Sequence, residues 1–134
     1  MLLTPTQIKY LVAINRLGCE TSVRSADIAE ALEVTKPTVH SMLVSLARLE
    51  LIKKEKYSCI ELTGRGRWFA ELYANGFSAI SLLLNSRLRI PVSTAGEGAL
   101  AILSCLGPEE LSLRFSRGAA EPVNDEAFPP QRLP

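Results

Sequence analysis

The chain has 134 residues, of which 47% are hydrophobic and 22% charged, with a formal net charge of +1. That length suits one domain, or one domain with a small appendage, whose core needs no disulfide staples. No basic segment followed by a cleavable apolar run opens it, and its longest apolar clusters fall short of the roughly 20 residues that cross a bilayer, so a soluble cytoplasmic protein is expected. Cys19, Cys59 and Cys105 are far apart and lack a CxxC pattern or a nearby histidine; this indicates neither a disulfide framework nor a zinc site and predicts reduced, mostly buried thiols. With the net charge so near zero, its distribution says more than its sum.

The first helix is announced by Thr4, a capping residue, by Pro5 at the first helical position and by Gln7, which completes a capping box. Ile8, Leu11, Val12 and Leu17, with Ile14 beside them, give it an apolar face. After a loop at residues 18–23, Ser25 is the expected cap of a second helix, with Asp27 in its first turn and Ile28, Ala29 and Leu32 on one side. Only Glu33 and Val34 separate it from Thr35, the expected cap of a third helix that starts with Lys36, Pro37 and Thr38. Val39, Leu43 and Leu46 form the apolar stripe of that helix, whereas Thr35, Lys36, Thr38, His40 and Ser41 are small or polar donors and acceptors. Two helices joined by a tight connection, the second longer and polar at its start, make a helix-turn-helix.

The third helix is expected to end near Glu50. Residues 51–54 and 59–62 then predict two short strands around a polar tip of Glu55, Lys56, Tyr57 and Ser58, a small wing. Thr63 caps a fourth helix over residues 64–76, whose Trp68, Phe69 and Leu72 can pack back on the three-helix core. Gly64 and Gly66 lack the rest of a phosphate-loop motif. The order of elements is that of a winged helix-turn-helix, assigned to residues 1–75. From Lys36 to Arg67 there are seven basic residues against three acidic, whereas residues 1–35 hold three against four. The positive excess therefore lies on the third helix, the wing and the start of the fourth, the elements that would face phosphates.

The stretch SADIAEALEVTKPTVHSMLVSLARLELIKKEKYSCIELTGRGRWFAE, residues 25–71, resembles the DNA-binding region of the diphtheria toxin repressor family, the iron- and manganese-dependent bacterial repressors. The resemblance rests on Pro37-Thr38-Val39 at the helix start, on Glu50-Leu51 where the family has a Gly-Leu-like exit into the wing, and on Leu62-Thr63 through Gly66. It implies a mostly α fold with a small β-hairpin, a winged helix-turn-helix followed by a helical dimerisation region, and double-stranded DNA as partner. The polar first turn would enter the major groove, where its amides and positive end favour phosphate and its side chains reach base edges. The expected DNA-binding residues are Ser25, Thr35, Lys36, Pro37, Thr38, His40, Ser41, Lys53, Lys54, Lys56 and Tyr57.

The resemblance also implies a divalent metal, iron or manganese, and here the chain departs from the family. The family's ligand positions fall at or near Lys9, Phe77, Ser81, Leu100, Leu103 and Ser104, which offer no good ligand, and Lys9 would set a positive charge where a cation should bind. A displaced site would have to recruit Cys105, Glu97, Glu109 or Glu110. Such sites usually need three or more convergent N, O or S ligands, so no metal site is expected.

FSAISLLLNSRL holds seven apolar residues in twelve and ALAILSCL seven in eight, which leaves little polar face for water. A partner subunit would bury such helices economically, so residues 76–116 are read as a dimerisation region using Phe77, Ile80, Leu83, Leu84, Leu100 and Leu103. The plainer alternative is a monomeric helical cap on the winged helix. Pro91 breaks the two helices, Thr94 to Glu97 has the form of a capping box, and Gly107-Pro108 starts a last short helix. Residues 117–134, with four prolines, read as a disordered tail without assigned function. The whole reads as a homodimeric bacterial transcription regulator, a repressor rather than an activator, acting on a pseudo-palindromic operator. The alternatives are a protein–protein adaptor and a redox-responsive regulator using Cys59 or Cys105. No enzyme is expected, since no nucleophile, base and oxyanion donor assemble at recognisable spacing.

Overall fold

The computed structural model describes residues 2–18, 22–54 and 59–115; Cys19, the wing tip with Lys56 and Tyr57, and the expected tail lie outside them. Helix α1, Pro5–Leu17, begins on the capping box of Thr4 and Gln7. Gln7 N donates to Thr4 Oγ1 at 3.2 Å, and Thr4 N to Gln7 Oε1 at 2.9 Å.

Strand β1, Val23–Arg24, occupies the end of what reads as a loop and feeds directly into α2, Ser25–Leu32. Ser25 is consequently the first helical residue and not the cap. β1 pairs with β3, Val23 opposite Ile60 and Arg24 opposite Cys59, so Arg24 is held extended and becomes the N-cap. Asp27 serves the turn instead, its carboxylate accepting from Arg24 N at 2.9 Å. Glu33 ends α2 in the left-handed conformation, φ 55°. Helix α3, Lys36–Arg48, starts on Thr35 as expected, with Thr38 N donating to Thr35 Oγ1 at 3.4 Å.

The wing strands are β2, Ile52–Lys54, and β3, Cys59–Leu62. They pair antiparallel, Ile52 opposite Leu62 and Lys54 opposite Ile60, in a sheet of order β1-β3-β2. Helix α4 runs unbroken over Gly64–Leu88. The separate helices expected before and after Gly76 are therefore one. A glycine costs a helix interior about 1 kcal/mol, and burial on both sides of Gly76, at Leu72 and Tyr73 and partly at Phe77 and Ile80, carries the helix through it. Arg89, φ 57°, ends it, and Asn85 Nδ2 donates to Ile90 O across the turn at 2.8 Å.

Helix α5, Val92–Cys105, starts on Pro91, whose carbonyl accepts from Ala95 N at 2.8 Å. The proline holds its own φ and keeps Ile90 extended, so the helix begins before Thr94, and Thr94 and Glu97 lie inside it instead of capping it. Helix α6 is Pro108–Phe115. One core joins Ile8, Leu11 and Ile14 of α1, Ile28 of α2, Val39, Leu43 and Leu46 of α3, and Phe69, Leu72 and Tyr73 of α4 to Leu100, Leu103 and Leu111. Trp68 lies on the outside, 45% exposed, edge-on to Phe69: Phe69 and Leu72 already fill the inner face of α4. Cys59 is half-buried and Cys105 exposed, against the expected burial of the thiols.

Candidate nucleic-acid interface

The apolar stripe of α3 fixes what its other face presents. Val39, Leu43 and Leu46 are buried, and the 3.6-residue period turns Lys36, Pro37, His40 and Ser41 outward, with Thr35 and Thr38 exposed at the first turn. Gln7 Nε2 donates to Ser45 Oγ at 3.1 Å, tying α3 to α1 across the partly buried side. The first turn is ordered by its own threonines, whose hydroxyls lie 2.7 Å apart. Ser25 is half-buried at the start of α2 and so less open than the α3 residues.

The wing is set against α3 and α4 by one residue. Thr63 Oγ1 donates to Glu50 O at 2.7 Å and accepts from Gly66 N at 2.9 Å, while Thr63 N donates to Leu51 O at 3.0 Å. Gly66 must be a glycine, because a Cβ there would overlap the Leu51 carbonyl. The Leu-Thr-x-x-Gly stretch is thus a clamp that holds the exit of α3, the first wing strand and the start of α4 together. Lys53 and Lys54 are both exposed on β2. Lys53 faces Glu61 at 3.8 Å, with both side chains more than half exposed, which leaves Lys54 the better placed of the two to meet an external anion.

The residues expected at a subunit interface divide. Leu83 is 55% exposed, Phe77, Ile80 and Leu84 are half-buried, and Leu100 and Leu103 belong to the chain's own core. Leu100 and Leu103 face inward because α5 packs that side on α1 and α4, so they are not available to a partner. Exposed positions on α4 recur at Asn75, Ser78, Ala79, Leu82, Leu83 and Ser86, one stripe along the helix. Leu82, Leu88, Val92 and Ile102 are exposed as well; their apolar type was visible in the sequence, but not the side of the helix on which they fall.

The six positions at or near which the family resemblance sets metal ligands supply an ammonium, three hydrocarbon side chains and two hydroxyls. Leu100 and Leu103 are in the core, Ser104 Oγ donates to Ala101 O at 2.7 Å, and Ser81 Oγ is buried with no partner among the described residues. That donor set does not fit a divalent transition metal. Among the described residues no three His, Cys, Asp or Glu side chains converge.

Residues 2–60 match the family model described as iron dependent repressor, N-terminal DNA binding domain. Curated proteins give no match. Among solved structures, the chain is similar to the manganese regulator SloR, with 24% identity and a TM-score of 0.68 over 82% of this chain and 53% of that one. It is also similar to the metal-dependent transcriptional regulator MtsR, with 19% identity and a TM-score of 0.66 over 82% and 52%. IdeR of T. acidophilum follows at 24% identity and a TM-score of 0.54 over 78% and 50%. The chain spans about half the length of these proteins, and likeness at this identity establishes the winged-helix fold. No helix among the described residues is long and apolar enough to cross a membrane. The clamp, the polar start of α3 and the family match over residues 2–60 agree: through that segment the chain is similar to the N-terminal DNA-binding domain of the iron-dependent repressors.

Proposed function

We propose that the protein is a sequence-specific DNA-binding regulator, a repressor, that engages a pseudo-palindromic operator as a homodimer. The observation that carries this reading is the exposed polar first turn of α3, held outward by a buried stripe in a domain similar to that of the iron-dependent repressors. Docked in a major groove, Lys36 and the helix start meet phosphate, Thr38, His40 and Ser41 meet base edges, and Pro37 and the Thr38 methyl offer apolar contact to thymine. Lys53 and Lys54 lie along the flanking backbone, with Thr35 and Ser25 at its edge; Lys56 and Tyr57, outside the described residues, are further candidate contacts by residue type. Two subunits join through the stripe that carries Leu82 and Leu83, flanked by Leu88, Val92 and Ile102. Phe77, Ile80 and Leu84 lie beneath it.

No divalent metal controls this activity through the family's ligand positions, because Lys9 and the hydrocarbon side chains at those positions oppose a cation. Selection of bound sequences from random DNA tests the reading. Recovery of a two-fold motif, with half-sites a whole number of helical turns apart, is the expected result. Enrichment of no sequence would turn the domain into a protein-binding module.

A further inference from the structure

A cleft of about 180 Å³ lies where α1, α3 and α5 approach one another, lined in part by Lys9 and Tyr10 of α1, Val34, Thr38 of α3, and Glu97 and Leu100 of α5. Its charged groups are one ammonium and one carboxylate, both exposed, and among the described residues no ion pair joins them. Tyr10 is 2% exposed, and among the described residues its hydroxyl has no hydrogen-bond partner. Val34 and Leu100 add an apolar wall.

We propose that this cleft binds a small zwitterion of the α-amino-acid type, its carboxylate at Lys9 Nζ, its ammonium at the Glu97 carboxylate and its side chain against Val34 and Leu100. The charge pattern selects this class. A simple organic anion would meet Glu97, a simple amine would meet Lys9, and a divalent cation would find one carboxylate beside an ammonium; only a molecule carrying both signs complements both groups. The volume corresponds to about six water molecules at roughly 30 Å³ each, the size of a small aliphatic amino acid. Since Lys9 and Glu97 are exposed, their attraction for a ligand is screened, and a Kd on the order of 0.1 mM is expected.

Occupancy also has a route to DNA, a step that rests on the proposed reading role of α3. Thr38, third residue of that helix, lines the cleft and shares its hydroxyl contact with Thr35. A ligand seated against α1, α3 and α5 together favours one placement of the α3 first turn and tightens DNA binding by about tenfold, within the usual range of such coupling.

Calorimetry on the full chain, without DNA, tests the site with the twenty amino acids one by one, with isovalerate and isoamylamine as single-charge probes, and with manganous chloride. An aliphatic amino acid is expected to bind stoichiometrically and raise the melting temperature, with both single-charge probes at least tenfold weaker. Lys9→Met and Glu97→Gln should each lose at least tenfold in affinity while keeping the wild-type circular dichroism, since both side chains are exposed. No binding of any amino acid at millimolar concentration, or binding unchanged in both variants, would overturn the proposal. So would manganese binding that Glu97→Gln abolishes and Lys9→Met strengthens. DNA affinity is then measured with and without the bound amino acid: equal affinity overturns the coupling alone. Loss of all DNA binding with the calorimetric signal intact supports the ligand site and sinks the DNA reading.

Discussion

Glu50 holds φ at 60° in the turn between α3 and the wing, a conformation that costs an L-residue roughly 1–2 kcal/mol and costs glycine nothing. This is the position where the resembling family has its Gly-Leu exit. The geometry of the exit is retained without the residue that suits it, because Thr63 binds the Glu50 carbonyl and Leu51 N donates to Leu46 O at 3.1 Å. Glu50→Gly is therefore expected to raise stability by about 0.5–1 kcal/mol, after the added freedom of the unfolded chain is subtracted, read as a higher urea midpoint with an unchanged slope. Tyr73 is the opposite case, a fully buried ring stacked on Phe69 at 6.2 Å whose hydroxyl has no partner among the described residues. Burial pushes its pKa up, so the folded state keeps the proton more tightly than the unfolded chain. Its contribution is fully present below pH 10 and is lost as pH rises through the folded value. Tyr73→Phe should move alkaline unfolding to higher pH and add about 1 kcal/mol at neutral pH, checked by melts across the alkaline range.

Among the elements, α3 and the wing divide the proposed DNA contact, and the division can be measured. Thr38→Ala removes a base-edge group and should relax preference at one operator position by about 1–3 kcal/mol. Lys54→Ala removes a phosphate contact and should weaken binding to every sequence, lowering the slope of log affinity against log salt by about one. Fluorescence anisotropy on operator and scrambled DNA from low to moderate salt separates the two. The starts of α1 and α3 and both wing strands were legible in the sequence because local chemistry decides them: a threonine cap, an early proline, alternating residues around a polar tip. Ser25, Thr94 and Gly76 misled for a common reason. At each, something distant in the chain or a neighbouring backbone restraint decided the outcome: β1 pairing with β3, Pro91 setting the start of α5, and packing of α4 on α1, α5 and α6. Of the proposed DNA residues, the α3 set was legible through its buried stripe, whereas the inward side of α5, apolar nearly all round, was not.

For the whole molecule, Leu83 and Leu103 make a paired test of assembly. Leu83 is 55% exposed and Leu103 fully buried, so Leu83→Asp should leave a folded monomer while Leu103→Asp should unfold the chain through an unpaired buried charge. Sedimentation and circular dichroism together give the answer, and a wild-type chain that sediments as a monomer at micromolar concentration would refute the proposed dimer. Ferrous, manganous or zinc ions added to chelator-treated protein are expected to change neither melting temperature nor operator affinity, since a ligand shifts an equilibrium only by its differential binding. Micromolar, stoichiometric stabilisation that also tightens DNA binding would contradict this.

The continuity of α4 bears on how the protein meets its operator. At about 1.5 Å per residue, its 25 residues form a rod roughly 37 Å long from the clamp beside the wing to the far end of the exposed leucine stripe. In the proposed dimer this rod acts as a ruler: the distance between the two reading heads is set by a helix and not by a hinge, so an operator with altered half-site spacing must be accommodated by twisting or bending the DNA. Tolerance to spacing then becomes a property of the sequence between the half-sites, stiff in A-tracts and permissive at flexible pyrimidine–purine steps.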